Sequence, residues 1–161
     1  MAQLIAKRAN EKIVEYGPYG SQSPTNYRIQ LKEGERIKEV LVKHGWNVDA
    51  IGFLIERPDQ SVVLEMTGEG GQTMSKIALK SGETVAGFSG TYGNKQDSGN
   101  MCVIATLKIH TNLCPEGYGP YGAQKGVSNV TFFTSTARAD FLGVFGRAGQ
   151  YLESLGAIYI Q

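Results

Sequence analysis

Apolar and polar residues alternate in short runs along this chain, and no run keeps a helical period for more than about two turns. The run 102–110 carries the pattern most plainly: Val103, Ala105, Leu107 and Ile109 share one face, while Thr106, Lys108 and His110 make the other polar. A strand with one buried face reads this way, because successive side chains point to opposite sides of a sheet. Similar runs, rich in β-branched and aromatic residues, occupy 37–43, 50–56, 61–66, 75–79, 84–90, 129–134, 141–146 and 155–161. Residues 2–14 hold the best helical candidate, a weak one, and a frayed N-terminal arm over 1–12 or an added strand suits them equally. Many short strands with frequent turns predict an all-β fold: a sandwich, a barrel or a prism.

Self-comparison selects among these. Tyr16-Gly-Pro-Tyr-Gly-Ser-Gln22 recurs as Tyr118-Gly-Pro-Tyr-Gly-Ala-Gln124. Gly45-Trp-Asn-Val-Asp-Ala-Ile-Gly52 recurs in type as Gly149-Gln-Tyr-Leu-Glu-Ser-Leu-Gly156. Half of that shift leaves room for a middle copy. Gly70-Gly71 lies midway between the two Tyr-Gly-Pro-Tyr-Gly loops, and Leu31-Lys-Glu-Gly-Glu-Arg-Ile37 matches Leu79-Lys-Ser-Gly-Glu-Thr-Val85. Gly99-Asn-Met-Cys-Val103 falls at the middle equivalent of the 45–49 loop. Three copies predict three small sheets around a pseudo-threefold axis, a triangular prism.

Composition fits one folded domain, assigned to 13–161. With 41% hydrophobic and 19% charged residues, the chain can bury a core rather than stay disordered. Its 21 glycines against five prolines call for many tight turns, not a linker. Sixteen Lys and Arg nearly balance 15 Asp and Glu, so no field draws the chain to nucleic acid or to an anionic membrane. The first residues lack the apolar run of a signal peptide, and no later stretch is long enough to span a bilayer. A cytoplasmic or nucleo-cytoplasmic protein is therefore expected. Cys102 and Cys114 are expected as free thiols, and the sequon at Asn129 as unused.

Taken in order, several segments carry a family resemblance. They are Tyr16-Gly-Pro-Tyr-Gly20, Gly45-Trp-Asn-Val-Asp-Ala-Ile-Gly-Phe53, Gly82-Glu-Thr-Val-Ala-Gly-Phe-Ser-Gly90, Leu107-Lys-Ile-His-Thr-Asn112 with Tyr118-Gly-Pro-Tyr-Gly122, and Gly143-Val-Phe-Gly-Arg-Ala-Gly149. Through them the chain resembles the jacalin-related lectins across residues 13–161. The resemblance implies a β-prism I fold of three four-stranded Greek-key sheets, and reversible sugar binding without catalysis or cofactor. It also implies a homo-oligomer, and kinship with the cytoplasmic, mannose- and glucose-binding branch found mainly in plants, with a role in defence or stress.

In that family a sugar sits between a Gly-x-x-x-Asp loop and a glycine-rich loop, and the residue types suit the chemistry. A carboxylate accepts two hydroxyl hydrogens at once, tight-turn N–H groups donate to the same oxygens, and glycine lets the backbone come close. The principal site maps onto Gly149-Gln150-Tyr151-Leu152-Glu153 with the loop after Tyr19, which begins at Gly20. Here Glu153 stands for the expected Asp, and Ser21-Gln22-Ser23-Pro24 replaces a glycine run, with Pro24 near a donor position. The second loop, Gly45-Trp46-Asn47-Val48-Asp49, keeps the full pattern and finds its partner in Gly70 and Gly71. Asp49 is expected to accept two hydroxyls, Asn47 and Val48 to donate backbone N–H groups, and Trp46 to offer an apolar face or a packing contact. The third copy, ending in Val103, is expected to be silent.

Other chemistry finds little support. Gly117-Tyr-Gly-Pro-Tyr-Gly122 fits a dinucleotide pattern, yet Ala123-Gln-Lys-Gly126 is a poor start for the helix that motif needs. His44 and His110 lack ligand spacing with a cysteine or with each other, so no metal site is expected. No nucleophile or carboxylate pair stands out. A rival reading keeps the prism but makes it a protein-interaction or defence module that has lost sugar binding, as Glu153 and Pro24 suggest.

Overall fold

Strand propensity wins wherever β-branched and aromatic residues alternate, and hairpins form where glycine or asparagine interrupts them. The computed structural model describes residues 11–71, 73–123, 127, 130–134 and 139–161. Along the chain run β1 (Ile13–Gly20), β2 (Tyr27–Gln30), β3 (Arg36–His44), β4 (Val48–Glu56), β5 (Val62–Met66) and β6 (Thr73–Ala78). There follow β7 (Val85–Lys95), β8 (Met101–Thr111), β9 (Tyr118–Gly122), β10 (Val130–Phe133), β11 (Asp140–Ala148) and β12 (Leu152–Ile160). Among the described residues the only helical element is a 3-10 turn, Gln96–Ser98.

The strands form three antiparallel four-stranded sheets, ordered β5-β4-β3-β6, β10-β7-β8-β9 and β1-β12-β11-β2. Each sheet holds a central hairpin flanked by two short strands. In the first two, the chain leaves the hairpin, pairs beside its near strand and crosses to the far edge, which is a Greek key. The third sheet takes its hairpin from the C-terminal end of the chain and its flanks from β1 and β2. Lys12 and Gln161 exchange both backbone hydrogen bonds there, at 3.0 and 2.9 Å.

The inner faces meet in one apolar core that includes Val40, Val42, Ile51, Phe53, Phe88, Leu107, Ile109, Val144, Leu155 and Tyr159. All four residues expected on the inner face of 102–110 are fully buried. Tyr159 joins two sheets, its hydroxyl donating to the Ala86 carbonyl at 2.8 Å and meeting Thr134 Oγ1 at 3.2 Å. Burial pushes that phenol up to about 12.

Two expectations need correction. The Tyr-Gly-Pro-Tyr-Gly segments are not loops: they form the end of β1 and all of β9. Proline removes a ladder donor, so it survives in a sheet only at an edge or an irregularity. Both segments lie on edge strands, and the β1 register slips between Tyr16 and Tyr19. The arm predicted over 1–12 falls mostly outside the described residues, as does Asn129; residues 13 and 14 open β1 as a strand, not a helix.

Candidate functional site

Backbone register decides which side chains face the hairpin ends. Each central hairpin has two bulges, and a bulge leaves one residue unpaired and re-aims its side chain. The first leaves out Lys38, Ala86 and Leu142 in turn, and five ladder pairs follow it in every sheet. At the second bulge, Lys43↔Ala50 gives way to His44↔Val48, so Asp49 is the residue left over. In the same way Arg147↔Ser154 gives way to Ala148↔Leu152, leaving Glu153. The two carboxylates predicted from the repeat therefore hold one equivalent position, fixed by the main chain.

The third hairpin differs from expectation. Its second bulge leaves out Ala105, between Thr91↔Thr106 and Tyr92↔Ile104. Val103 is paired regularly with Gly93, so Ala105 and not Val103 is the counterpart of Asp49 and Glu153. The sequence match slipped because β7 and β8 run on for four pairs beyond this bulge, against one pair in each of the other hairpins. A methyl group at that place accepts no hydrogen bond.

The two carboxylate turns close alike: Gly45 N–H donates to the Asn47 carbonyl and Gly149 N–H to the Tyr151 carbonyl, both at 3.0 Å. Trp46 and Gln150 are exposed at their tips, and Tyr151 is half-buried. Val48 and Leu152 are fully buried and pin each turn to the core, so only their backbone can reach a ligand. Asn47 is buried as well. Its side chain turns inward, donating to the Ala123 carbonyl at 3.4 Å and accepting from Lys95 Nζ at 2.9 Å.

Glycine permits the close approach that follows. Gly71 has φ +109, and a Cβ there would lie 3.1 Å from Asp49 Oδ2 and 2.7 Å from Lys43 Cβ. At Gly70 a Cβ would fall 2.3 Å from the Gln150 carbonyl oxygen. At Gly68 a Cβ would lie 3.1 Å from the Gly149 carbonyl oxygen. The β5–β6 loop thus lines Asp49 on one side and touches the second turn on the other. Lys43 steadies it, donating to the Glu69 carbonyl at 3.4 Å. Burial pushes the Asp49 carboxyl up from the ordinary aspartate range, and the Lys95 charge pulls it back.

Glu153 sits in a different setting. Its Oε1 is 3.2 Å from Arg147 Nε, and its Oε2 lies under its own turn, 3.4 Å from where a Gly149 Cβ would be. The same guanidinium donates through Nη1 to the Pro24 carbonyl at 2.9 Å. Gly20, at φ +115, lets the neighbouring loop pass over the Glu153 carbonyl, which accepts Ser21 N–H at 2.9 Å. Ser21 Oγ accepts Ser23 N–H at 3.1 Å, and Asn26 bonds Ala148 in both directions. The serine-proline loop bonds within itself and to Arg147, in place of the glycine run that the family resemblance implies.

Sequence reading missed Lys95, Arg147 and Lys43. Arg147 lies two residues before Gly149, within a segment read only for its resemblance; nothing local marks Lys95. A cavity of about 220 Å³ lies at the opposite end of the prism, lined in part by Glu35, Glu83, Asn112 and Phe141. None of the predicted site residues line it. Glu83 there is committed to Lys80 N–H, Thr111 Oγ1 and Tyr118 OH at 3.0, 2.6 and 2.7 Å.

Comparison with known proteins agrees with this architecture. Residues 16–158 match the family described as Jacalin-like lectin domain. The chain is 29% identical over 148 residues to jacalin-related lectin 3 of Arabidopsis thaliana, covering 90% of this chain and 23% of that protein. It is 27% identical over 157 residues to the mannose/glucose-specific lectin of Parkia pendula, covering 94% of this chain and 33% of that protein. The chain thus spans a minor part of the length of both. In fold it is similar to the crystal structure of Calystegia sepium agglutinin, with TM-score 0.76 and 23% identity over 93% of this chain and 97% of that one. With its three Greek-key sheets matching those of β-prism I structures and the family match spanning most of its length, the chain belongs to the jacalin-related lectins.

Proposed function

We propose that this carbohydrate-binding prism takes mannose- and glucose-type glycans, reversibly and without chemical change, with the Asp49 loop as its stronger site and the Glu153 loop as the weaker. One observation carries the reading. Asp49 is the bulge residue behind a tight glycine turn, and its carboxylate faces the bare backbone at Gly71. Such a carboxylate can accept two vicinal hydroxyls while Asn47 and Val48 N–H groups donate to the same oxygens. At Glu153 a bound sugar has to share Oε1 with Arg147, which weakens its hold. The relative from Parkia pendula, named for mannose and glucose, supports the sugar class.

Each net hydrogen bond contributes only about 1 kcal/mol, because water is displaced. Single-site affinity is therefore expected to be weak, with avidity supplied by several sites or a homo-oligomer. Calorimetry with methyl α-mannoside tests the reading. Wild type is expected to bind, Asp49→Ala to lose most of the affinity, and Asp49→Ala with Glu153→Ala to lose all of it. No heat from wild type, or an unchanged double variant, overturns it. The ion pair at Glu153 favours a second reading, in which that loop is a protein contact only. Sugar binding that Asp49→Ala abolishes outright, with Glu153→Ala silent, would select this for the Glu153 loop.

A further inference from the structure

We propose that Lys95 is a positioning residue shared by the two loops, its buried ammonium holding the Trp46 turn and the Tyr151 turn in register with one another. The proposal rests on reading both loops as sugar-binding. Lys95 is the last residue of β7, carried over the end of the prism by the three extra pairs that lengthen the third hairpin. The repeat that lacks a carboxylate thus contributes a cation to the other two.

Lys95 is only 6% exposed, and a buried ammonium needs partners on several sides. It donates to Asn47 Oδ1 at 2.9 Å and lies 3.4 Å from Asp97 Oδ1. Its Nζ stands 6.0 Å from the centre of the Trp46 ring and 5.5 Å from that of Tyr151. Both distances suit attraction between a cation and a ring face. Trp46 and Asn47 belong to the Asp49 turn, and Tyr151 to the Glu153 turn. One charge therefore touches the variable positions of both motifs, and it also opposes the burial that disfavours the Asp49 anion. Removing it loosens the exposed Trp46 ring and the half-buried Tyr151 ring at once.

Trp46 is the only tryptophan in the chain, so its emission reports this arrangement directly. The decisive variant is Tyr151→Leu, made in a Glu153→Ala background where only the Asp49 loop is left to bind. Tyr151 lies on the other hairpin, yet its loss is expected to shift Trp46 emission in the sugar-free protein. It is also expected to weaken methyl α-mannoside binding at the Asp49 loop by roughly three- to tenfold, the scale of one such ring contact. Lys95→Met is expected to do the same in that background and, with Asp49→Ala, at the Glu153 loop. Melting temperature and far-UV dichroism establish that each variant is folded. If Tyr151→Leu, folded, leaves both Trp46 emission and affinity unchanged, the proposal falls while the sugar reading stands. If wild type binds no sugar, the sugar reading falls, and Trp46 emission alone decides the clamp: unchanged emission in folded Tyr151→Leu overturns it, and shifted emission supports it.

Discussion

Asp49 owes its acidity to a contest between burial and a neighbouring lysine, and burial prevails. Its carboxyl takes up a proton at a higher pH than an ordinary aspartate does, and a protonated carboxyl has lost its charge and one acceptor. The sign follows directly. In Glu153→Ala, affinity for methyl α-mannoside is expected to fall as pH drops, beginning above the usual aspartate value of 3.8. Calorimetry across that range checks it; a midpoint at or below 3.8 contradicts it. Gly71→Ala is expected to cost about 1–3 kcal/mol of stability through its φ of +109. The added methyl also crowds Asp49 Oδ2, so affinity should drop beyond what the melting shift accounts for. Asp49 was legible in the chain because glycine-x-x-x-aspartate is a local pattern. Arg147 and Lys95 were not, because only strand register brings the one to Glu153 and the other to Asn47.

The turns at the far end of the prism repeat as a small device. Lys32 N–H donates to Glu35 Oε1 at 2.7 Å while Glu35 N–H donates to the Lys32 carbonyl at 3.0 Å, and Lys80 and Glu83 do the same at 3.0 and 2.9 Å. Glu83 is buried, which alone would raise its pKa, yet the Lys80 amide and the Thr111 and Tyr118 hydroxyls bring it below the ordinary glutamate value. A carboxylate lowered in the folded state stabilises it above its unfolded pKa, and that stability disappears as pH falls through the folded value. Glu83→Ala is expected to lower stability by about 1–3 kcal/mol, since buried donors lose their acceptor. It is also expected to flatten the acid limb of the stability profile. Denaturant unfolding at two pH values measures both; an unchanged acid limb contradicts the assignment. The Leu31 and Leu79 repeats announced this pair in the sequence. The edge strands holding Pro18 and Pro120 stayed hidden, because proline within a run argues against a strand until its place at a sheet edge is known.

Over the whole molecule, threefold order was readable because the copies share spacing, and the core followed from alternation. What sequence spacing misjudged was the third hairpin: its three added pairs moved the equivalent residue from Val103 to Ala105. Sheets of this size depend on one another, and Tyr159 is one of the joints between them. Tyr159→Phe is expected to leave the Ala86 carbonyl short of its donor and to cost about 1–3 kcal/mol, read as a lower melting temperature with sugar affinity unchanged. The central claim is that a bulge-borne carboxylate facing a glycine backbone grips a pair of sugar hydroxyls. A crystal structure of the chain with methyl α-mannoside tests it most directly. The account predicts a pyranose with two hydroxyls on the Asp49 carboxylate, bounded by Gly70 and Gly71. A sugar bound elsewhere, with Asp49 untouched, would contradict it.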